Sequence, residues 1–337
     1  MNNSRSSMLL GAAVAAFLIL PAAGANNDWV VWPAKTFDTK ALKVNDLVGS
    51  VRVNVGNGPM KVEVSGNRNL VAGLTVKNQN GTLLISADEA DSVNVWDWNH
   101  WFDFSHINEE HDGKLFVTVT VPKGSDVRIE DLVGNATVGD TFGPVRLETT
   151  AGNSTVGRTS EARISMAGSG KTAVADVAGE LRIEVAGSGH VMAHNAGSVR
   201  ADIAGSGDAT IASIVNGLRV SIAGSGDLAV SRVNGPVSVD IAGSGNVKIA
   251  DGVADPLKVD ILGAGDLYFG GLAVNPSVSA MGSGNVHIKA YKGKLRNDGM
   301  ADVVIGSEAV PPVPPVPGQP PKPPVPPHHG DDDDDDN

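Results

Sequence analysis

The chain contains no cysteine, so it has no disulfide, no thiolate nucleophile and no thiolate metal ligand to draw on. Aromatic residues make up only 4% of it. A core of stacked rings is thereby excluded, and small and β-branched side chains must do the filling. Lys and Arg number 26 against 38 Asp and Glu, for a formal net charge of −12. That balance argues against nucleic acid as a partner, because phosphates are held by Lys and Arg. The apolar stretch at residues 8–20 is too short for a membrane span, which takes about 20 such residues. No series of alternating ten-residue strands points to an outer-membrane barrel either.

The same apolar stretch has Arg5 ahead of it and Ala23-Gly24-Ala25 behind it. This is the layout of a secretory signal peptide, cut after Ala25. The expectation is an exported protein, periplasmic, on the outer surface or extracellular. Without disulfides it must be held together by apolar burial and backbone pairing. Four regions follow: signal peptide 1–25, an N-terminal β segment 26–125, repeats over 126–309 and a tail over 310–337. The tail begins with residues 310–327, which hold eleven of the nineteen prolines, and ends on His328-His329-Gly330 and six aspartates. Such a composition favours an extended polyproline II spacer and a solvated acidic end, disordered rather than packed.

Glycine is what the chain has in quantity, 41 residues of it. Ala-Gly-Ser-Gly occurs at 167–170, 186–189, 204–207, 223–226 and 242–245, then as Leu-Gly-Ala-Gly at 262–265 and Met-Gly-Ser-Gly at 281–284. The first glycines are Gly168, Gly187, Gly205, Gly224, Gly243, Gly263 and Gly282, a period close to 19. A fixed period of this size marks a solenoid whose repeats pack only on their neighbours. Five residues before each glycine stands Arg163, Arg182, Arg200, Arg219, Ser238, Lys258 or Ser277. Two residues later stands Ser165, Glu184, Asp202, Ser221, Asp240, Asp260 or Ser279. Between and after them lie apolar pairs such as Ile183/Val185 and Val239/Ile241. Period-two alternation turns the apolar pair inward and the polar pair outward. Arg128/Glu130 and Arg146/Glu148 carry the pattern upstream, and Arg296/Asp298 reads as a frayed last rung. The prediction is an all-β, single-stranded parallel β-helix with an N-terminal β cap. Ten coils at about 4.8 Å each would make a rod of roughly 48 Å. The seven glycines read as structural corners, where φ > 0 and close coil-to-coil approach are needed.

Upstream, Val51 to Val55, Lys61 to Val64, Leu83 to Ile85 after Asn80-Gly81, and Leu115 to Val121 before Pro122 all read as strands. Between the last two lies an insertion, 95–111, with Trp96, Trp98, Trp101, Phe102 and Phe104. It breaks the pattern, and its aromatic side chains are candidates for contact with a ligand or partner. Its other reading is a cap on the open end of the solenoid. Its histidines and acids, from His100 to His111, match no metal-ligand spacing.

Other motifs resolve into architecture. Gly168-Ser169-Gly170-Lys171-Thr172 is like a phosphate loop, but Ser165 stands where that signature needs glycine. Asp208 and Asp227 follow successive Gly-Ser-Gly corners and could touch a cation, yet Lys171, His190 and Asn246 share their column. A lyase or glycosidase would need two carboxylates about 5–9.5 Å apart. Asp240 and Asp260 on successive coils could supply them, though any repeated outward column generates such pairs. No nucleophilic triad is arguable, no cofactor is expected, and the chain reads as a binding or scaffold protein. A polysaccharide-active lyase or hydrolase, or a purely structural envelope protein, are the alternatives.

The strands from Val51 to Ile85, the strand Leu115 to Val121 with Pro122, and the Gly-Ser-Gly-Asp/Asn coils together resemble the auto-transporter adhesin head GIN domain family, over roughly 36–290. The resemblance implies a β-solenoid in an exported bacterial protein, with an adhesin-like role and no catalytic residues to carry over. A cell-envelope glycan or protein would be the partner. The chain departs from an autotransporter in showing no translocator barrel, and in its proline-rich acidic tail.

Overall fold

In the computed structural model, which describes residues 29–87, 114–299 and 302–306, nearly everything is strand. The cap region holds β1 (Trp29–Val31), β2 (Lys35–Phe37), β3 (Ala41–Gly56), β4 (Met60–Asn67), the short helix α1 (Arg68–Ala72), β5 (Leu74–Gln79), β6 (Thr82–Ala87) and β7 (Leu115–Pro122). The coils are built from β8 (Asp126–Val138), β9 (Val145–Val156), β10 (Ala162–Gly187), β11 (His190–Gly205), β12 (Asp208–Ile214), β13 (Leu218–Gly224) and β14 (Leu228–Gly243). They continue through β15 (Val247–Gly263), β16 (Leu267–Val274), β17 (Ser277–Gly282), β18 (Asn285–Lys292), β19 (Arg296–Asn297) and β20 (Asp302–Ile305).

From β8 onward every pairing is parallel, and equivalent residues lie above one another: Arg182↔Arg200, Arg200↔Arg219, Ile222↔Ile241, Gly224↔Gly243. The result is a parallel β-solenoid of about 9 turns with about 19 residues per coil. The inward pairs are buried as the alternation demands: Ile183, Val220, Val239, Val259 and Val278 are all fully inside. Phe269 is the one aromatic side chain fully buried among the described residues. A scarcity of rings therefore goes with a narrow interior of Val, Ile, Leu and Ala, whose burial stabilises by about 25 cal/mol per Å².

The parallel stack begins earlier than the repeat. β3 lies under β8 in register from Ala41↔Asp126 to Val53↔Val138, with Gly49 under Gly134. It is a rung of the solenoid with β6 and β7 stacked in parallel beneath it, although 26–125 reads in sequence as a separate segment. The signal was present: Asp46-Leu47-Val48-Gly49 returns as Asp131-Leu132-Val133-Gly134. It falls outside the 19-residue period because the cap is inserted between the two copies. Beyond β6 and β7 the sheet changes character. β6 and β7 pair with β3 in parallel, then β4 with β7, β1 and β2 with β4, and β5 with β6, all antiparallel. The β5–β6 hairpin turns on Asn80 (φ 52) and Gly81 (φ 76), the paired positive φ values of a tight two-residue turn.

The corner glycines Gly187, Gly205, Gly224, Gly243, Gly263 and Gly282 have φ between 115 and 139. Gly168 does not. A register shift between Met166 and Ser169 moves that conformation to Gly170 (φ 142), which stacks on Gly152. The phosphate-loop-like phrase thus straddles a register shift, and it lies within β10 with no helix after it.

Candidate functional site

The strand before each corner presents three outward columns, and their chemistry changes along the rod. In the lower coils the first two columns form a ladder of ion pairs. Lys43 meets Glu130 at 2.7 Å, Arg146 reaches Glu130 at 3.7 Å and also bonds Glu148, and Arg200 meets Asp202 at 3.0 Å. Parallel stacking forces like charges into one column, and the acids of the next column offset them.

Glu184 anchors the middle of this ladder. Its carboxylate accepts from Arg182 at 2.7 Å and from Arg163, one coil below, at 3.0 Å. Burial alone would raise its pKa, but the bonds and charges of Arg182 and Arg163 outweigh that and hold it below the ordinary value. Arg163 reaches upward because its own coil offers Ser165 instead of an acid.

Above Arg219 the ladder breaks. Ser221 replaces the acid beside Arg219, and Ser238 replaces the cation beside Asp240. Asp240 is half-buried and makes no hydrogen bond or ion pair among the described residues. The ammonium of Lys258, one coil up, sits on Asp260 instead. The third outward column changes at the same height. Ala186, Ala204, Ala223 and Ala242 give way to Leu262 and Met281, which are 62% and 58% exposed. Between the second and third columns runs a shallow groove of about 270 Å³. Ser221, Ala223, Asp240, Ala242, Asp260 and Leu262 line most of it, and Asp240 and Asp260 are its only charged groups. Sequence reading passed over Leu262 and Met281. The signal was the altered spelling of the repeated phrase, Leu-Gly-Ala-Gly and Met-Gly-Ser-Gly.

Past the corner, the polar column is a hydrogen-bonded ladder. The side-chain oxygen of Asp208 accepts from the backbone N–H of Asp227, Asp227 from Asn246, Asn246 from Asp266 and Asp266 from Asn285, at 2.7–3.1 Å. Asn135 and Asn153 repeat the arrangement in the lower coils. These side chains satisfy corner amides that the strand ladder leaves over, a need any solenoid corner creates. On the following strand, Tyr268 and His287 stack with parallel rings 5.2 Å apart. Lys248 lies in register below the pair and Val304 above it.

Trp96, Trp98, Trp101, Phe102 and Phe104 lie outside the described residues, as do 1–25 and 310–337. What is described is the surface from which the aromatic insertion departs. It leaves after β6 and rejoins ahead of β7. There Phe116 packs on Trp29 with ring centroids 5.9 Å apart, the Lys35 ammonium lies over the Trp32 ring, and Val31 is 67% exposed. Among the described residues no helix is long and apolar enough to cross a membrane, and no three His, Asp or Glu side chains group as metal ligands.

Residues 40–236 match the family described as putative auto-transporter adhesin, head GIN domain. No curated protein matches the chain. Among solved structures it is similar to a putative adhesin from Parabacteroides distasonis, at 18% identity and a TM-score of 0.43, covering 83% of this chain and 97% of that one. A putative lipid binding protein from the same organism aligns at 16% identity and a TM-score of 0.35, covering 85% and 96%. A putative adhesin from Bacteroides fragilis follows at 14% identity and a TM-score of 0.30, covering 83% and 98%. The family match runs from the start of β3 to the middle of β14, more than half of the chain, and the protein therefore belongs to the auto-transporter adhesin head GIN domain family.

Proposed function

We propose that this chain is an exported, adhesin-like binding protein of the cell envelope and not an enzyme, with the solenoid as a stiff spacer and the N-terminal cap as its contact end. One observation carries the reading: all five tryptophans stand at 29, 32, 96, 98 and 101, in the cap or in the segment that the cap emits. Tryptophan combines a large apolar face with a polar edge, and contact surfaces favour it. The coils themselves supply a paired ion ladder and a hydrogen-bonded corner ladder, features that hold a rod together. A cell-envelope glycan whose rings stack on the tryptophans is the ligand class that suits such a surface.

The test is retention of the mature protein on cell-wall and capsular glycans, with reducing ends assayed in parallel. Retention should occur without cleavage and be lost on Trp96→Ala, Trp98→Ala and Trp101→Ala together. Unchanged retention would leave those tryptophans as a cover for the solenoid end, and release of reducing ends would restore the lyase or hydrolase reading. Cell fractionation checks the export.

A further inference from the structure

The end of the rod away from the tryptophans, formed by β18 to β20, combines an open apolar rung with a surplus of positive charge. One rung down, Val286 and Ile288 are fully inside. Val303 and Ile305, in register above them, are only partly buried, as is Tyr291, and Leu295 on the turn before β19 is 40% exposed. Lys289, Lys292, Lys294 and Arg296 are exposed, and none of the four makes an ion pair or side-chain hydrogen bond among the described residues. Asp298 and Asp302 are the only acids in 285–306. Asp255 follows Ala254, which lies two coils beneath Tyr291 by register. That is about 9.6 Å of rise, beyond the screening length of about 8 Å at physiological salt.

We propose that the chain's own C-terminal segment, residues 307–336, which lies outside the described residues, docks on this end, with its valines over the open rung and its aspartates on the four cations. Its point of departure puts it in place. Ile305 pairs with Ile288, the Gly306 N–H donates to the Ile288 carbonyl, and Gly306 lies against the Lys289 backbone, so the segment leaves the rod over Lys289. Val310, Val313 and Val316 recur every third residue with prolines between, and polyproline II, at three residues per turn, sets them on one face. Prolines cannot donate to the unpaired edge of β20, so such a segment covers the rung without extending the sheet. Residues 310–317 and 320–327 form two proline-rich arms of equal length on either side of Gly318-Gln319, each about 25 Å long in polyproline II. Glycine permits a reversal there, and equal arms return Asp331 to Asp336 to the end from which the segment set out. A second copy of the chain suits this surface less well, because a two-fold join of two such ends sets like cations against each other.

The experiment uses the whole mature chain. Trypsin cuts after Lys292, Lys294 and Arg296, so cleavage at that turn reads access to the cations, and hydrogen exchange at residues 303–305 reads cover of the rung. A tether supplies an effective concentration of about 1 mM, so a site of about 0.1 mM affinity is filled about nine-tenths of the time. Asp331→Asn through Asp336→Asn together should then speed cleavage roughly tenfold. Salt at about 1 M, which cuts the screening length to about 3 Å, should speed cleavage of the wild type and leave that variant unchanged. Free hexa-aspartate peptide should restore the variant's protection. Val310→Ser with Val313→Ser and Val316→Ser should speed exchange at 303–305, and so should Lys289→Gln with Lys292→Gln, Lys294→Gln and Arg296→Gln. Thermal melts verify that the rod below is intact. The proposal fails if the aspartate variant is cleaved at the wild-type rate, if the valine variant exchanges as the wild type does, or if protection rises with protein concentration, which would make the occupant a second copy. These outcomes are independent of glycan retention at the tryptophans.

Discussion

Arg163 bonds Glu184 across a coil boundary, its Nη2 lying 3.0 Å from both carboxylate oxygens, while Arg182 of Glu184's own coil takes Oε1 at 2.7 Å. One carboxylate thus ties two stacked arginines that would otherwise repel. The bonds hold the Glu184 pKa below its ordinary value against the opposing effect of burial. A depressed carboxylate contributes stability that is present above the unfolded pKa, about 4.3, and is lost as the pH falls through the folded value. Glu184→Gln should therefore cost about 1 kcal/mol at neutral pH, with the gap to wild type closing below about pH 4. Urea melts from pH 3 to 8 would show it. A cost independent of pH would mean that shape, not charge, is what Glu184 supplies.

The same diagonal exists higher up but stays open. Arg219 and Asp240 are related as Arg163 and Glu184 are, 21 residues apart, yet no bond joins them. Aspartate is one methylene shorter than glutamate. Asp240→Glu should close the diagonal and stabilise the rod by about 0.2–1 kcal/mol. A double-mutant cycle with Arg219→Ala would locate the gain, since the coupling should be present with Glu and absent with Asp.

Much of this was legible in the sequence. The 19-residue phrase, the alternation at Val220/Ile222 and its sisters, and the ion columns from Arg128 to Lys258 follow from period alone, because a parallel stack turns sequence repetition into spatial columns. What escaped was long-range pairing. The rung β3 pairs with β8 across an inserted cap, and no local period reports a partner so far along the chain. The groove escaped for the opposite reason. It arises from departures within a regular column, Ser for Arg at 238 and Leu for Ala at 262, and periodicity arguments smooth such departures away.

Asp46 and Asp131 occupy the same place in two consecutive rungs, between the register pairs Asn45↔Glu130 and Leu47↔Leu132, each with φ 53. Burial, then the charges of Asp46, Glu148 and Glu130, raise the Asp131 pKa. For an acid with a raised folded pKa, the favourable contribution is fully present below the unfolded value, about 3.9, and is lost as the pH rises through the folded one. Ionised Asp131 is therefore a burden at neutral pH. Asn tolerates the left-handed conformation, so Asp131→Asn should raise stability by about 0.2–0.5 kcal/mol at pH 7. The gain should vanish near pH 3. A gain that persists there would point to backbone preference instead of charge.

Gly58 and Gly224 share a backbone conformation, φ 136 and φ 132, but not a neighbourhood. A Cβ on Gly58 would meet nothing within 4 Å, whereas one on Gly224 would run into the backbone carbonyl oxygen of Gly205. The conformational penalty of alanine at such a φ is common to both sites. The collision is not, and it cannot be relieved by a side-chain rotation because the obstructing atom is backbone. Relative to Gly58→Ala, Gly224→Ala should cost a further 1–3 kcal/mol or about that, the range for overpacking. Since every coil sets its corner glycine over the one below, the displacement should spread to Gly205 and Gly243, and the unfolding transition should broaden as coils uncouple. Equal destabilisation at the two sites would mean that the glycine column serves the turn alone and not the close stacking of the coils.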